Sequence, residues 1–388
     1  MSPEKYRILQ VIDQTESGGA QVVVLNILKY LQNHYSFEVA VLGVSGQFSD
    51  AYKALGIPVH VLGNRNSRWS IAPLFRLIKL MRSRHYDIVH THLMKSSILG
   101  TIAARRTGSR AILHEHTGVT QKVLSLYFSH TLSRFLYRWS YHYALHQADR
   151  IILLTHQVHN IYTQMYGINR DTMVIVPNGV DIVGHKLSCS TNNSTAIRTE
   201  LGLSDKTSIA TMIGRLEPPK DWETYLEVAR QCRQASLKNI VFLVVGSGSE
   251  ESKLRTYVDK HKLDNVFFLG YRKDVQALLQ QSDVFLLTSR TESFGIAILE
   301  AMAAGCPVIA TRSGGPGTII TDGIDGLLAD VGDVQTIVHH LEHLLSNEEL
   351  RSSIIQNAHQ EIKRYSLETT TKMTQEVYDE IIDVKNMD

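Results

Sequence analysis

A chain of 388 residues is too long for one ordinary hydrophobic core, which stops growing at about 250–300 residues, so two domains are expected. Hydrophobic residues make up 43% and charged residues 20%, with eight prolines, which excludes a largely disordered or collagen-like chain. The net charge of +2 conceals a split: residues 1–180 hold 19 Lys+Arg against 9 Asp+Glu, and residues 181–388 hold 21 against 29. A balance of +10 facing one of −8 gives the first half a field for an anionic partner: nucleic acid, a phospholipid surface or a phosphorylated acceptor.

Ile240–Val245 is an apolar run of six residues, well short of the roughly 20 that a membrane-spanning helix needs. Glu4, Lys5, Arg7 and Asp13 stand where a signal peptide would need a clean apolar stretch, so a cytoplasmic chain is expected. Cys189, Cys232 and Cys306 lie far apart and form no paired metal-ligand set or disulfide framework.

Short β-branched runs alternate with amphipathic stretches along the chain, the pattern of βαβ units on a parallel sheet. The spacing predicts strands at 6–12, 37–42, 59–62, 87–91, 111–114, 150–154 and 173–177, with helices between them. A second series runs 208–213, 240–245, 266–269, 284–288 and 308–311. Between the series, His185–Glu200 is rich in Ser, Thr and Asn and reads as a linker or exposed loop. The expected organisation is α/β, two Rossmann-like domains at 1–180 and 181–388 with parallel sheets facing a central cleft.

The densest chemical signal is Ser289–Thr311. A strand ends near Thr288, Glu292 falls in the following turn, and a helix is expected from about Phe294, carrying Glu300 until Gly305 and Pro307 stop it. Backbone amides of Ser293, Phe294 and Gly295 at such a helix start form an anion site, and Glu300 is placed to accept two sugar hydroxyls. At the end of the 208–213 strand, the loop from Gly214 to Lys220 carries Arg215 and Lys220, two cations suited to a diphosphate. Surface salt bridges to Glu217 or Asp221 are the alternative reading. Gly246-Ser247-Gly248, Gly270-Tyr271 and Gly314-Gly315 repeat the glycine theme at other strand ends, where α/β sheets bind ligands.

Glu292 and Glu300 with seven residues between them, Gly214-Arg215-Leu216 with the following Lys220, the run Val176–Asp181 and the Gly314-Gly315 turn together resemble retaining glycosyltransferases of family 4. The resemblance spans nearly the whole chain and implies the GT-B architecture, with an acceptor on the N-terminal domain and a nucleotide-diphosphate sugar on the C-terminal one. It also implies a last helix, about 367–386, packing back on the N-terminal domain. Position by position, Arg215 and Lys220 would neutralise the donor diphosphate and Glu300 would hold the ribose. Glu292, with the backbone of Phe294 and Gly295, would contact the transferred sugar, while Gly246 would line the donor site and the loop at Tyr271 would meet the base. Ser17-Gly18-Gly19-Ala20 resembles the family's glycine loop near the diphosphate, a helix cap being the alternative. His116 resembles the histidine that faces the reacting sugar, a structural histidine being the alternative; His90 and His92 read as scaffold or acceptor lining. The chain departs from the family pattern at Asp221, where glycine is common, and at Thr318, where glutamate often stands.

No Asp-x-Asp occurs in the chain, so no metal cofactor is expected and the cations and helix amides must support the leaving diphosphate. The family's retaining mechanism would have the acceptor hydroxyl attack from the leaving group's own face. A sugar-nucleotide epimerase and a non-catalytic anionic-ligand-binding protein are the alternatives. A dinucleotide oxidoreductase is disfavoured because Glu251 stands where the third glycine of that fingerprint belongs, and no RNA signature supports nucleic-acid binding. The segment Lys122–His146 is expected to be helical, with Leu124, Phe128, Phe135, Leu136, Trp139 and Tyr143 toward one side and His130, Arg134, Arg138, His142 and His146 along a ridge. With a basic stripe at Arg76, Lys79 and Arg82, it suggests a peripheral enzyme on an anionic membrane face acting on a saccharide or polyprenyl-diphosphate-linked acceptor.

Overall fold

A computed structural model describes residues 5–16, 18–64, 70–116, 131–182, 196–234 and 239–387. The chain divides into two compact units, residues 1–179 with 367–388, and residues 180–366.

The first unit runs β1 (Arg7–Ile12), α1 (Gly19–Leu31), β2 (Ser36–Val41), α2 (Gln47–Ala54), β3 (Val59–Val61), α3 (Ala72–Arg84), β4 (Ile88–His92), α4 (Met94–Thr107), β5 (Arg110–His114), α5 (Thr131–Gln147), β6 (Arg150–Leu153), α6 (His156–Tyr166) and β7 (Met173–Ile175). Its sheet has the order β3-β2-β1-β4-β5-β6-β7, parallel in every pair. Strands β1, β4 and β5 sit mid-sheet with both faces covered, which is why they are nearly all buried and do not alternate in polarity. The order reverses between β1 and β4, the switch point outside whose carboxyl ends α/β folds hold ligands.

The second unit runs α7 (Ala196–Leu201), β8 (Ser208–Ile213), α8 (Trp222–Gln234), β9 (Ile240–Val245), α9 (Glu251–His261), β10 (Val266–Gly270), α10 (Val275–Gln280), β11 (Val284–Leu287), α11 (Ile296–Ala303), β12 (Val308–Thr311), α12 (Pro316–Ile319), β13 (Leu327–Ala329), α13 (Val334–Ser346) and α14 (Glu348–Glu361). The parallel sheet β10-β9-β8-β11-β12-β13 reverses between β8 and β11. The expected strands all form, and β13 is an addition: three residues on the sheet edge beside β12 are too short for periodicity to reveal. The linker expected at 185–200 lies mostly outside the described residues, and α7 begins at its end.

The last helix, α15 (Leu367–Met387), belongs to the first unit. Val377, Tyr378, Ile381 and Ile382 are all nearly fully buried and form one stripe, at i, i+1, i+4 and i+5, within the core that α1 and the sheet share. Each such side chain contributes about 1.5–3 kcal/mol when buried. Polar contacts set the helix in place: Arg150 pairs with Glu380, Lys385 Nζ lies 2.6 Å from Asp87, and Tyr35 donates to Asp379.

Candidate active site

In the second unit the loops after β8 and β11 flank the switch point, and the chain joins them directly. The amide of Arg290 donates to the Pro219 carbonyl (2.9 Å), and the Thr288 hydroxyl donates to the Asp221 carbonyl (3.0 Å). Across this seam Lys220 forms an ion pair with Glu292, both side chains about four-fifths buried. The alternative partners Glu217 and Asp221 are engaged elsewhere: Glu217 accepts from Ser249, and Asp221 accepts from Arg290 (2.9 Å) and Thr224 (2.8 Å).

Paired in this way, Asp221 adds no uncompensated charge to the loop that carries Arg215 and Lys220. Its carboxylate is buried under the start of α8 and neutralised by Arg290. Its backbone is left-handed, φ 50°, a conformation that glycine adopts without strain and aspartate tolerates better than most residues. Arg215 is exposed on the same loop, its guanidinium without a partner among the described residues, while its carbonyl accepts from the buried Trp222 indole (2.9 Å).

Glycines bring the other walls together. Phe294 and Gly295 precede the helix, which starts at Ile296 and not at Phe294, because Gly295 turns the chain with φ 105°. The Phe294 side chain is buried edge-on against Tyr365, so only its backbone is available to a ligand. Among the described residues the amides of Phe294 and Gly295 take no backbone partner. This loop pairs with the Gly314-Gly315 turn: Glu292 donates to Ser313 (3.0 Å) and Gly315 donates to Glu292 (2.7 Å). A side chain at Gly315 would stand 2.3 Å from Phe294 Cα, and one at Gly246 would stand 1.9 Å from the Gly214 carbonyl oxygen. Glu300 is half-buried on α11 with no partner among the described residues, and desolvation pushes its carboxyl up to about 7. Tyr271, just past Gly270 on the edge strand β10, is exposed.

In the first unit Gly18 (φ 148°) precedes α1 and Gly19 begins it; Ser17 lies outside the described residues. The neighbouring α4 start is already occupied, since Asp13 accepts from the amides of Lys95 (3.1 Å) and Ser96 (2.6 Å). His116 follows β5, half-buried, with Nε2 3.0 Å from His92 Nδ1 and its ring stacked on His114. Burial holds its pKa down at about 3, so the imidazole is neutral. His90 and His92 are fully buried and belong to the scaffold beneath it. Ring nitrogens of His90, His92 and His114 lie within 4.8 Å of one another. The His90 and His114 rings stack in parallel at 4°; His90 Nδ1 bonds Tyr378 and His92 bonds Gln10 and His116, whereas His90 Nε2 and both ring nitrogens of His114 have no partner among the described residues.

Residues 17–183 match the Glycosyltransferase Family 4 model and residues 193–361 the Glycosyl transferases group 1 model. The chain belongs to the group 1 glycosyltransferases. Among curated relatives, an Escherichia coli UDP-Gal:α-D-GlcNAc-diphosphoundecaprenol α-1,3-galactosyltransferase is 28% identical over 335 residues, 84% of each chain. The α-monoglucosyldiacylglycerol synthase of Acholeplasma laidlawii is 25% identical over 387 residues, 95% of each. Anabaena HepE, solved in complex with UDP-glucose, shares the fold at a TM-score of 0.83 and 22% identity, over 96% of this chain and 99% of its own. The two Rossmann-like units of this glycosyltransferase are those of the GT-B fold.

Within this glycosyltransferase, then, Arg215, Lys220, Glu292, Phe294, Gly295 and Glu300 gather around one switch point, with Gly246 and Tyr271 on the neighbouring strand ends. Gly18, Gly19 and His116 belong to the other unit. Sequence reasoning missed the Lys220–Glu292 pairing and the role of Arg290. Nothing in spacing alone marks an arginine two residues after a strand as the counter-ion of a residue 69 positions earlier.

Proposed function

We propose that this group 1 glycosyltransferase moves a sugar, with retention at the anomeric carbon, from a nucleotide-diphosphate sugar on the second unit to a saccharide or lipid-linked saccharide on the first. The observation that carries this reading is the Lys220–Glu292 ion pair beside Arg215 and Glu300, neither of which has a side-chain partner among the described residues. A diphosphate supplies negative charge for Arg215 and competes for Lys220. Glu292 is thereby released toward the transferred sugar, and Glu300 accepts two ribose hydroxyls. As the donor bond breaks, charge develops on the diphosphate; Arg215, Lys220 and the amides at the start of α11 face it, preorganised donors typically worth about 2.7–4 kcal/mol each. This cationic set does the work of a metal, so the reaction needs none. The α-linked products named for the relatives support retention when the donor is an α-linked nucleotide sugar.

The names of the two relatives carry a diphosphoundecaprenol-linked sugar and a monoglucosyldiacylglycerol product, which supports a lipid-borne acceptor in polysaccharide or glycolipid synthesis, of which lipopolysaccharide and capsule are the expected examples. The same is supported by α5, where Phe135 and Trp139 are each 64% exposed beside exposed Leu132, Leu136 and Tyr143. The apolar side expected to carry Phe135, Leu136, Trp139 and Tyr143 is thus open, and Tyr141, Ala144 and Leu145 form the core side; the Lys122–His130 part of the expected helix lies outside the described residues. Helix α3, across α4 from α5, exposes Phe75 beside Arg76, Lys79 and Arg82, with exposed Ile71 just before its start. Exposed aromatics interleaved with cations suit the anionic cytoplasmic face of a membrane, and no helix among the described residues is long and apolar enough to cross one.

A thermal-shift screen with UDP-, GDP- and ADP-sugars tests the donor site. The correct donor at 100 times its dissociation constant adds about 2.7 kcal/mol of stability, and that gain disappears in Arg215→Ala. A screen in which no nucleotide sugar stabilises the protein refutes the reading.

A further inference from the structure

The acceptor-side reading of His116 leaves open which of its nitrogens carries the proton, and that decides what it can bind. We infer that Gln10 is a positioning residue which, through His92, holds His116 in the Nε2–H tautomer, so that His116 offers a bare Nδ1 as a hydrogen-bond acceptor to a hydroxyl of the substrate. The inference rests on the proposed function for the identity of that hydroxyl, not for the tautomer.

Gln10 on β1 pairs with His90 on β4, and His92 pairs with His114 on β5, so all four side chains share one face of the sheet, beneath Tyr378 of α15. Gln10 and His92 are fully buried and no water competes for their hydrogen bonds. Gln10 Nε2 donates to the Tyr378 hydroxyl at 2.9 Å, and Gln10 Oε1 lies 2.6 Å from His92 Nε2. The short contact must carry the oxygen: 2.6 Å is near the N–H···O range and too close for two nitrogens. An amide oxygen only accepts, so His92 carries its proton on Nε2. Burial keeps His92 neutral, so its Nδ1 is a lone pair. That lone pair faces His116 Nε2 at 3.0 Å, so His116 Nε2 is the donor. A neutral His116 then has nothing on Nδ1, which has no partner among the described residues.

Each proton position follows from the one before it, and the only fixed polarity in the chain is the amide of Gln10. Tyr378 also lies 2.7 Å from His90 Nδ1, which ties α15 to the same stack. A bare Nδ1 accepts from a sugar hydroxyl and repels a carboxylate or carbonyl oxygen at the same place. The relay therefore selects a hydroxyl-bearing group over an acidic one.

The tautomer is directly measurable in the full chain labelled with ¹⁵N-histidine. His92 and His116 are assigned by the signals lost in His92→Phe and His116→Ala. At pH 7 both are expected to show a protonated Nε2 and an unprotonated Nδ1. Gln10→Glu keeps an oxygen acceptor and should keep the tautomer. Gln10→Met removes it, and both rings should then average between tautomers while kcat falls about twofold, in proportion to the remaining Nε2–H form, with KM for the donor unchanged. A protonated Nδ1 on wild-type His116, or an unchanged tautomer in Gln10→Met, overturns the relay. If Gln10→Met does not fold, the wild-type spectrum decides alone. Full turnover in His116→Ala overturns the placement of His116 beside the substrate, and is read separately from the tautomer.

Discussion

Glu300 makes the most direct test of the donor site because its perturbation is large and its expected ligand is specific. Burial raises its carboxyl from 4.5 to about 7. At pH 8 about nine-tenths of the protein has Glu300 ionised, and at pH 6 about one-tenth. A pair of ribose hydroxyls donates to the ionised form, so binding draws on that fraction and the apparent Kd should rise about tenfold from pH 8 to pH 6, about 1.4 kcal/mol. At pH 7 binding should release about half a proton, seen in calorimetry as a binding heat that varies with the ionisation heat of the buffer. The titrant must be a sugar nucleotide, since a free nucleoside diphosphate has a terminal phosphate that titrates near neutrality. Glu300→Gln should bind more weakly and without the pH slope. In the empty protein the sign is opposite: the folded state favours the protonated carboxyl, so stability falls as pH rises from 4.5 through about 7. A pH-independent Kd with no proton release, or the same slope in Glu300→Gln, refutes the assignment of Glu300 to the ribose.

The other perturbations act on separate parts of the molecule. Arg215→Ala should lower kcat/KM at least about a hundredfold with the fold intact, because the exposed guanidinium supports no structure; near-normal turnover removes it from the diphosphate. Activity should survive exhaustive chelation, and a strict requirement for Mg²⁺ or Mn²⁺ would overturn the metal-independent reading. Gly315→Ala forces a methyl to within 2.3 Å of Phe294 Cα and should destabilise the protein by more than about 2 kcal/mol, a fall of about 4–8 °C in Tm; an unchanged Tm contradicts the packing of the two loops. Arg138→Glu with Trp139→Ser changes only exposed positions on α5, and should abolish cosedimentation with anionic vesicles at low salt while leaving transfer to a soluble acceptor intact. Equal cosedimentation of both proteins ends the membrane reading.

Secondary structure and layer order were legible in the residues themselves because period and composition are local. Ile240–Val245 reads as a doubly covered strand and forms one, buried at every position. Gly246 after β9 and Gly295 before α11 mark turns where ligand approach is expected, and both have positive φ. Family resemblance reached further, to the residues now grouped around the β8–β11 switch point, since motif spacing is itself a property of the linear chain.

What only the tertiary structure decided is which charges and faces meet. Lys220 chooses Glu292, 72 residues away, over the nearer Glu217 and Asp221, because the two strands that carry the loops are neighbours in the sheet and not in the chain. Asp221 is harmless because a third residue, Arg290, arrives beside it. The apolar side of α5 is open because Tyr141, Ala144 and Leu145 already bury the opposite side, which pattern alone does not decide. Gln10 and Tyr378, 368 positions apart, show no signal of kinship in the sequence and yet share a hydrogen bond. Periodicity records how a segment would bury itself, whereas partners and exposed faces depend on distances through space that no local pattern contains.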